Sequence, residues 1–266
     1  MSTSRGIGPD DTPLIDDQSA QISPQTRDRL EEAKRSPSVS IIIPTYNEAQ
    51  NILTVIDRCL YEVSEYSHEI IVVDDNSPDG TWQLVENSYL SDSPVSVIRR
   101  QGKRSLSMAV SRGFRESVSD VCIVMDADLQ HPPEKIPDLL VGFDGDVDLV
   151  IASRYMDGGG IKNWSLKRRL VSHGATFLVH QLLPSLRGIE DPLSGFFAVR
   201  REVLKNVSIN PLGYKILLEL LLRCEIDGVK EVPYTFCERT NGDSKLSIHE
   251  YLNFIRHLVR LRVTTA

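Results

Sequence analysis

From Ser38 onward, short apolar runs alternate with longer stretches whose apolar residues recur every three or four positions. "SVSIIIPTYNE" opens this pattern as a strand ended by Pro44. "NILTVIDRCLYEV" follows with helical spacing at Ile52, Val55, Ile56, Leu60 and Val63. "HEIIVVDDNSPDGT" reads as a strand entering a turn, with a helix from about Thr81 to Tyr89 behind it. "VSVIRR" is a short strand and "SLSMAVSRGFRES" a helix. Val121 to Met125 is continuously apolar rather than alternating, as expected of a strand covered on both faces, and "VDLVIASRY" is a further strand. The second half is less regular. "NWSLKRRLVSHGATFLVHQLL" predicts a helix with a basic start, and "DPLSGFFAVRREVL" a turn continuing as strand or helix. "GYKILLELLLRCE" predicts a buried helix, and "KEVPYTFCER" an edge strand broken by Pro233.

This order predicts an α/β fold: a mostly parallel, Rossmann-like sheet with helices on both faces. In such sheets ligands bind beyond the carboxyl ends of the strands. Tyr46–Glu48, Asp74–Asp75, Asp126–Asp128 and Arg154 all fall at such ends, which points to one composite site.

Composition changes the picture only at its edges. Residues 1–37 lack aromatic residues and are rich in Ser, Asp, Pro and Gln, the composition of a disordered tail. The 266 residues carry a net charge of −7, so no global basic field invites nucleic acid. Cys59, Cys122, Cys224 and Cys237 form no CxxC pair and read as reduced thiols of a cytosolic protein. The N-terminus lacks a signal-peptide pattern, and no run approaches the roughly 20 apolar residues of a transmembrane helix. Any membrane contact would then be peripheral. "SIHEYLNFIRHLVRLR" places Ile248, Tyr251, Leu252, Ile255, Leu258 and Val259 at helical spacing, with Arg256, Arg260 and Arg262 on other faces. A helix docked on the core and a basic helix lying on anionic lipid both produce that pattern.

Asp126 and Asp128 stand one residue apart behind a buried strand, where alternation puts both carboxylates on one side and their repulsion calls for a cation. With Gln130 adding a neutral oxygen, these donors suit Mg²⁺ or Mn²⁺, held by one or two carboxylates plus substrate phosphates. His131, before Pro132 and Pro133, reads more readily as a turn former than as a ligand. The turn "DDNSPDGT" accounts for Asn76 to Gly80 but not for Asp75 at the mouth of the sheet. From position alone, Arg154 serves equally as partner to a phosphate, to Asp126 and Asp128, or to a structural carboxylate. Arg168 and Ser172, four residues apart on one helix face, can hold a phosphate together. Arg239 and Lys245 would make "ERTNGDSKL" a cationic flap over an anionic substrate. Neither G-x-G-x-x-G nor a P-loop occurs, and "PTYNEAQN" is unlike the Gly-rich loop of a nucleotidyltransferase.

Together, "SIIIPTYNE", "IIVVDDNSPDGTW", "VMDADLQHPPE", "ASRY", "DPLSGFFAVRREVL" and "EVPYTFCERTNGDSKL" resemble the dolichol-phosphate mannose synthases, inverting members of glycosyltransferase family 2, over about residues 38–262. The archaeal single-chain forms are the most similar. The resemblance implies a GT-A fold, with a catalytic domain over 38–246 and an amphipathic helix suited to a membrane interface over 247–266. It implies transfer of mannose from GDP-mannose to dolichyl phosphate at the cytoplasmic face of the cell membrane, with UDP-glucose as the alternative donor. Carried across residue by residue, Pro44, Tyr46, Glu48, Val73 and Asp75 would hold base and ribose. Asp126, Ala127, Asp128 and Gln130 would grip metal and diphosphate, and Arg154, Arg239 and Lys245 would stabilise the leaving group. Arg168 and Ser172 would receive the lipid phosphate. That acceptor is already anionic, which fits the lack of a convincing general base. Two departures stand out: Ser105-Leu106-Ser107 replaces a Gly-Leu-Gly common in the family, and the chain stops at Ala266 where some archaeal relatives continue into transmembrane helices. A catalytically silent nucleotide-sugar scaffold would lack the carboxylate pair or the flap cations, and both are present.

Overall fold

The computed structural model describes residues 36–205, 215–237 and 248–264, with side chains of the last segment from Asn253 onward. Its centre is a seven-stranded sheet. In chain order the strands are β1 (Val39–Thr45), β2 (His68–Asp74), β3 (Val95–Arg99), β4 (Val121–Val124), β5 (Val147–Ser153), β7 (Phe197–Arg200) and β8 (Gly228–Pro233). Across the sheet they run β3-β2-β1-β4-β7-β5-β8. Neighbours pair in parallel except β7, which runs antiparallel between β4 and β5. Two short strands, β6 (Gly160–Ile161) and β9 (Thr235–Phe236), form a separate parallel pair.

The helices are α1 (Ile52–Glu62), α2 (Thr81–Ser88), α3 (Leu106–Glu116), α4 (Ile136–Val141), α5 (Leu166–Leu182), α6 (Ile216–Arg223) and α7 (Ile248–Thr264). Strand alternation sends Ile41 and Ile43 to one face of β1, where they join Ile52, Val55 and Ile56 of α1 and Ile136 and Leu139 of α4. Ile42 points the other way, into a cluster with Val110 and Phe114 of α3 and Leu217 and Leu220 of α6. The close approach of α3 depends on Gly113: a Cβ there would lie 2.4 Å from Ile42 Cγ2. A third cluster joins Val179 of α5, Leu218 of α6 and Phe254, Leu258 and Leu261 of α7.

Every strand and helix anticipated along residues 38–237 is present, with instructive shifts. β1 runs through Pro44 to Thr45, because its register with β2 continues through Pro44–Val73 and Thr45–Asp74. β4 ends at Val124, so the peptide carrying Asp126 and Asp128 lies beyond the sheet. Leu129 there has φ 62°, a left-handed conformation that costs energy for a side chain of this size. Strand alternation therefore does not orient the two carboxylates. The closing helix does dock on the core, through Phe254, Leu258 and Leu261, yet it leaves Ile255, Val259 and Val263 exposed. The tail reading of residues 1–37 falls outside the described residues up to 35. No described helix is long and apolar enough to cross a membrane.

Candidate active site

At the carboxyl ends of β1 and β2, two turns clamp each other. Fully buried Asp74 accepts from Thr45 Oγ1 (2.8 Å), the Ser77 N–H (2.8 Å) and Ser77 Oγ (2.6 Å). In the opposite turn the Asn47 N–H donates to Ser77 Oγ (2.9 Å), the Glu48 N–H to Thr81 Oγ1 (3.0 Å) and the Ala49 N–H to Asp79 Oδ2 (3.1 Å). Gly80 (φ 83°), Asn47 and Asn76 supply the left-handed corners this geometry needs. Pro44 and Val73 are buried beneath, Glu48 accepts from Asn51 Nδ2 (3.0 Å), and Tyr46 lies above with the Arg104 guanidinium 4.3 Å from its ring centre.

Asp75 is ion-paired to Arg100 and accepts the Ser105 N–H at 2.7 Å. Burial raises its carboxyl pKa, and the Ser105 N–H and Arg100 charge oppose that rise. Arg100, Arg104 and Ser105 were not anticipated. They follow β3 in the run "RRQGKRS", where cations behind a strand end carry the same signal that marked the other clusters. Ser105 also caps α3, accepting the Met108 N–H at 3.4 Å, so the departure from Gly-Leu-Gly builds a helix cap.

Beyond β4, His131 is buried against Phe196, with ring centres 5.3 Å apart and nearly parallel, and the edges of Tyr234 and Phe236 close the box. Burial pushes its pKa down to about 4 although Asp128 nearby works the other way, so the ring is neutral at pH 7. Its Nδ1 accepts the Asp126 N–H at 3.0 Å. His131 is thus a brace for the Asp126 peptide. Asp128 Oδ1 accepts the Gln130 N–H (3.1 Å), and Gln130 Nε2 donates to the Cys237 carbonyl (3.2 Å), tying this loop to the end of β9. Arg239 and Lys245, just beyond Cys237, lie outside the described residues.

Arg154 settles on the structural carboxylate. Its Nε and Nη2 meet Asp191 Oδ2 and Oδ1 at 2.7 and 2.8 Å, and its own N–H donates to Asp191 at 3.1 Å. Burial works against the guanidinium charge, but Asp191 outweighs it and the pKa is raised. Lys215, at the entrance to α6, feels the fields of Arg154, Asp191 and Asp126 and donates to the Leu193 carbonyl at 2.8 Å. Burial first, then Arg154, lowers its pKa to about 8. In "GYKILLELLLRCE" it passes for the polar start of an apolar helix. On the far side, Arg168 stacks 4.0 Å over Trp164 and Ser172 lies 2.6 Å from the Tyr155 hydroxyl, so these residues share one face of α5.

The clusters around Asp75, Asp128 and Arg154 thus lie at or just beyond the carboxyl ends of β2, β4 and β5. The profile of glycosyl transferase family 2 matches residues 40–208. The chain belongs to this family. It is 47% identical over 223 residues to a dolichol-phosphate mannosyltransferase of Pyrococcus furiosus, covering 84% of this chain and 63% of that protein. Over 236 residues it is 37% identical to the dolichol-phosphate mannosyltransferase of Saccharomyces cerevisiae, covering 84% of this chain and 86% of the yeast protein. The fold of this family 2 chain, GT-A, is shared with glucosyl-3-phosphoglycerate synthase of Mycobacterium tuberculosis, solved with Mn²⁺, UDP-glucose and phosphoglyceric acid (TM-score 0.67, 22% identity, 89% of this chain and 82% of that one).

In this family 2 chain, Asp126, Asp128 and Gln130 would offer a divalent cation two carboxylates and a side-chain amide. Among the described residues no group of three or more His, Cys, Asp and Glu gathers to form a self-sufficient metal centre. Hard oxygens in that small number suit Mg²⁺ or Mn²⁺, which complete their shells with water and phosphate oxygens. Gly195 keeps room beside them: a Cβ there would lie 3.6 Å from Asp126 Oδ2 and 3.2 Å from His131 Cε1. The residues fit such an ion.

Proposed function

We propose that this chain transfers mannose from GDP-mannose to dolichyl phosphate with inversion, working peripherally on the cytoplasmic face of the membrane. The observation that carries the reading is the 47% identity to a dolichol-phosphate mannosyltransferase, joined to an intact carboxylate pair at the strand ends. Pro44, Tyr46, Glu48, Val73 and Asp75 bind base and ribose; Asp126, Ala127, Asp128 and Gln130 face the diphosphate. Asp126, Asp128 and Gln130 would hold a divalent ion, which would supply positive charge to the diphosphate as it departs. Arg154, fixed by Asp191, and Arg239 and Lys245 of "ERTNGDSKL" add to that charge. Arg168 and Ser172 hold the acceptor phosphate, whose oxygen forms the new bond to the anomeric carbon as the bond to GDP breaks. GDP leaves with the electron pair, and no proton need be removed from the acceptor.

Membrane contact is assigned to α7, whose outer surface presents Ile255, Val259 and Val263 with Arg256 and Arg260 around a shallow apolar groove. Anionic lipid of the cytoplasmic leaflet attracts such a surface.

The test is turnover with dolichyl phosphate and Mn²⁺, offering GDP-mannose or UDP-glucose and following labelled sugar into the lipid phase. Mannose in the lipid, lost on chelation and in Asp128→Ala, is the expected result. Glucose transfer alone would replace the donor, and transfer of neither sugar would overturn the reading.

A further inference from the structure

Directly behind Arg154, Tyr155 reaches across to the acceptor helix. Its hydroxyl is 2.6 Å from Ser172 Oγ, its ring centre is 4.7 Å from that of His173, and the Arg154 guanidinium carbon lies 5.2 Å from its ring centre. One side chain thus joins the Arg154–Asp191 pair to the α5 face bearing Arg168 and Ser172. Resting on the reading of Ser172 as a holder of the acceptor phosphate, we propose that Tyr155 is a positioning residue that aims the Ser172 hydroxyl at that phosphate.

The argument is one of proton direction. A serine hydroxyl has one proton to give and two lone pairs. Inside a helix its easiest use of that proton is to bond the carbonyl four residues back, here that of Arg168. A phosphate oxygen in its anionic form only accepts, so Ser172 serves it only with its proton turned outward. A phenol is a stronger donor than an alkanol, and a cation facing the ring strengthens it further. Either hydroxyl can donate across this 2.6 Å contact, and we assign the donor's part to the more acidic phenol. With one Ser172 lone pair so engaged, its proton is not spent on Tyr155 and stays available to the acceptor phosphate. The contact with His173 holds the phenol ring in place. Tyr155→Phe removes only the hydroxyl bonded to Ser172 and leaves the ring facing Arg154, so its effect is specific to the acceptor.

The experiment is steady-state kinetics of the full chain with dolichyl phosphate and donor varied in turn, for Tyr155→Phe, Ser172→Ala, Arg168→Ala and the Tyr155→Phe/Ser172→Ala double variant. Tyr155→Phe keeps the ring and should raise the acceptor KM about three- to tenfold, the worth of one hydrogen bond, with donor KM unchanged. The double variant should be no worse than Ser172→Ala alone, because both changes remove one interaction. If Ser172→Ala raises the acceptor KM and Tyr155→Phe does not, the proposal fails while the acceptor site stands. Multiplying effects in the double variant would also overturn it, since Tyr155 would then act independently of Ser172. If Ser172→Ala and Arg168→Ala both leave the acceptor KM unchanged, the acceptor reading itself fails and takes the proposal with it.

Discussion

Asp191→Asn tests the electrostatic frame of the site most directly. The Arg154 side chain is 9% exposed and that of Asp191 0%, and they share two side-chain hydrogen bonds of 2.7 and 2.8 Å. Removing one charge from so buried a pair leaves the other without compensation, which costs about 3–5 kcal/mol. Asn preserves volume and one acceptor oxygen, and the Arg154 guanidinium still faces Tyr155, Trp164 and Phe236 at 5.2, 5.9 and 5.7 Å. Both features place the loss near the lower end, about 3 kcal/mol. A domain of ordinary stability, about 5–15 kcal/mol, stays folded after that loss, so the effect is measurable. The assay is urea denaturation at pH 7, followed by far-UV circular dichroism and tryptophan fluorescence and extrapolated linearly. Replacing both partners, as Arg154→Met with Asp191→Leu, should recover most of the stability while abolishing turnover. A loss under about 1 kcal/mol for Asp191→Asn would refute the reasoning, because that is how a solvated pair behaves.

Two further perturbations probe the neighbouring charges. Lys215 has a lowered folded pKa of about 8, so the unfolded chain binds more protons between that value and the ordinary lysine range. Wild-type stability should therefore gain a rising contribution with pH through this window, and Lys215→Met should flatten it; identical slopes in urea titrations would show Lys215 to be solvated. Glu219 sits fully buried between His257 Nε2, at 2.7 Å, and Arg223. Burial raises its pKa, but these two partners outweigh it and hold it below the usual value, so its contribution is present above the unfolded pKa and lost as pH falls through the folded one. Glu219→Gln should cost about 3 kcal/mol at neutral pH and remove part of the acid limb of unfolding; an unchanged limb would assign acid lability to other carboxylates.

What could be read from the sequence, and what could not, divides along a physical line. Continuous apolar runs and helical spacing report local burial, and they located β1, β2, β4 and β5 and the helices between them. They carry no strand direction, so the antiparallel insertion of β7 was invisible. That insertion brings Asp191, read only as part of a turn, onto Arg154. Strand alternation was extended one step too far at Asp126 and Asp128, because sheet pairing stops at Val124 and Leu129 turns left-handed. Lys215 and Arg100 escaped for another reason. Their carboxylate neighbours are 24 residues away at Asp191 and 25 away at Asp75, and no local pattern encodes such pairings.

The carboxylates at the strand ends then sort themselves by accessibility. Asp74 is fully buried and spends both oxygens on the turn. The Asp75 side chain is 5% exposed and joined to Arg100, and that of Asp191, at 0%, is joined to Arg154. Asp128 is 7% exposed with one oxygen on the Gln130 N–H, and the Asp126 side chain, at 37%, is the most open of the five. Three of the five are thus engaged in structural pairing or turn-making. An incoming cation with phosphate oxygens in its shell needs carboxylate oxygen that solvent can reach, and Asp126 offers the most. Neutral His131 fixes the Asp126 peptide through Nδ1 without adding a charge to the carboxylates. The uneven burial of these carboxylates therefore makes Asp126 the most accessible of them to a cation, in keeping with the role proposed for it beside Asp128.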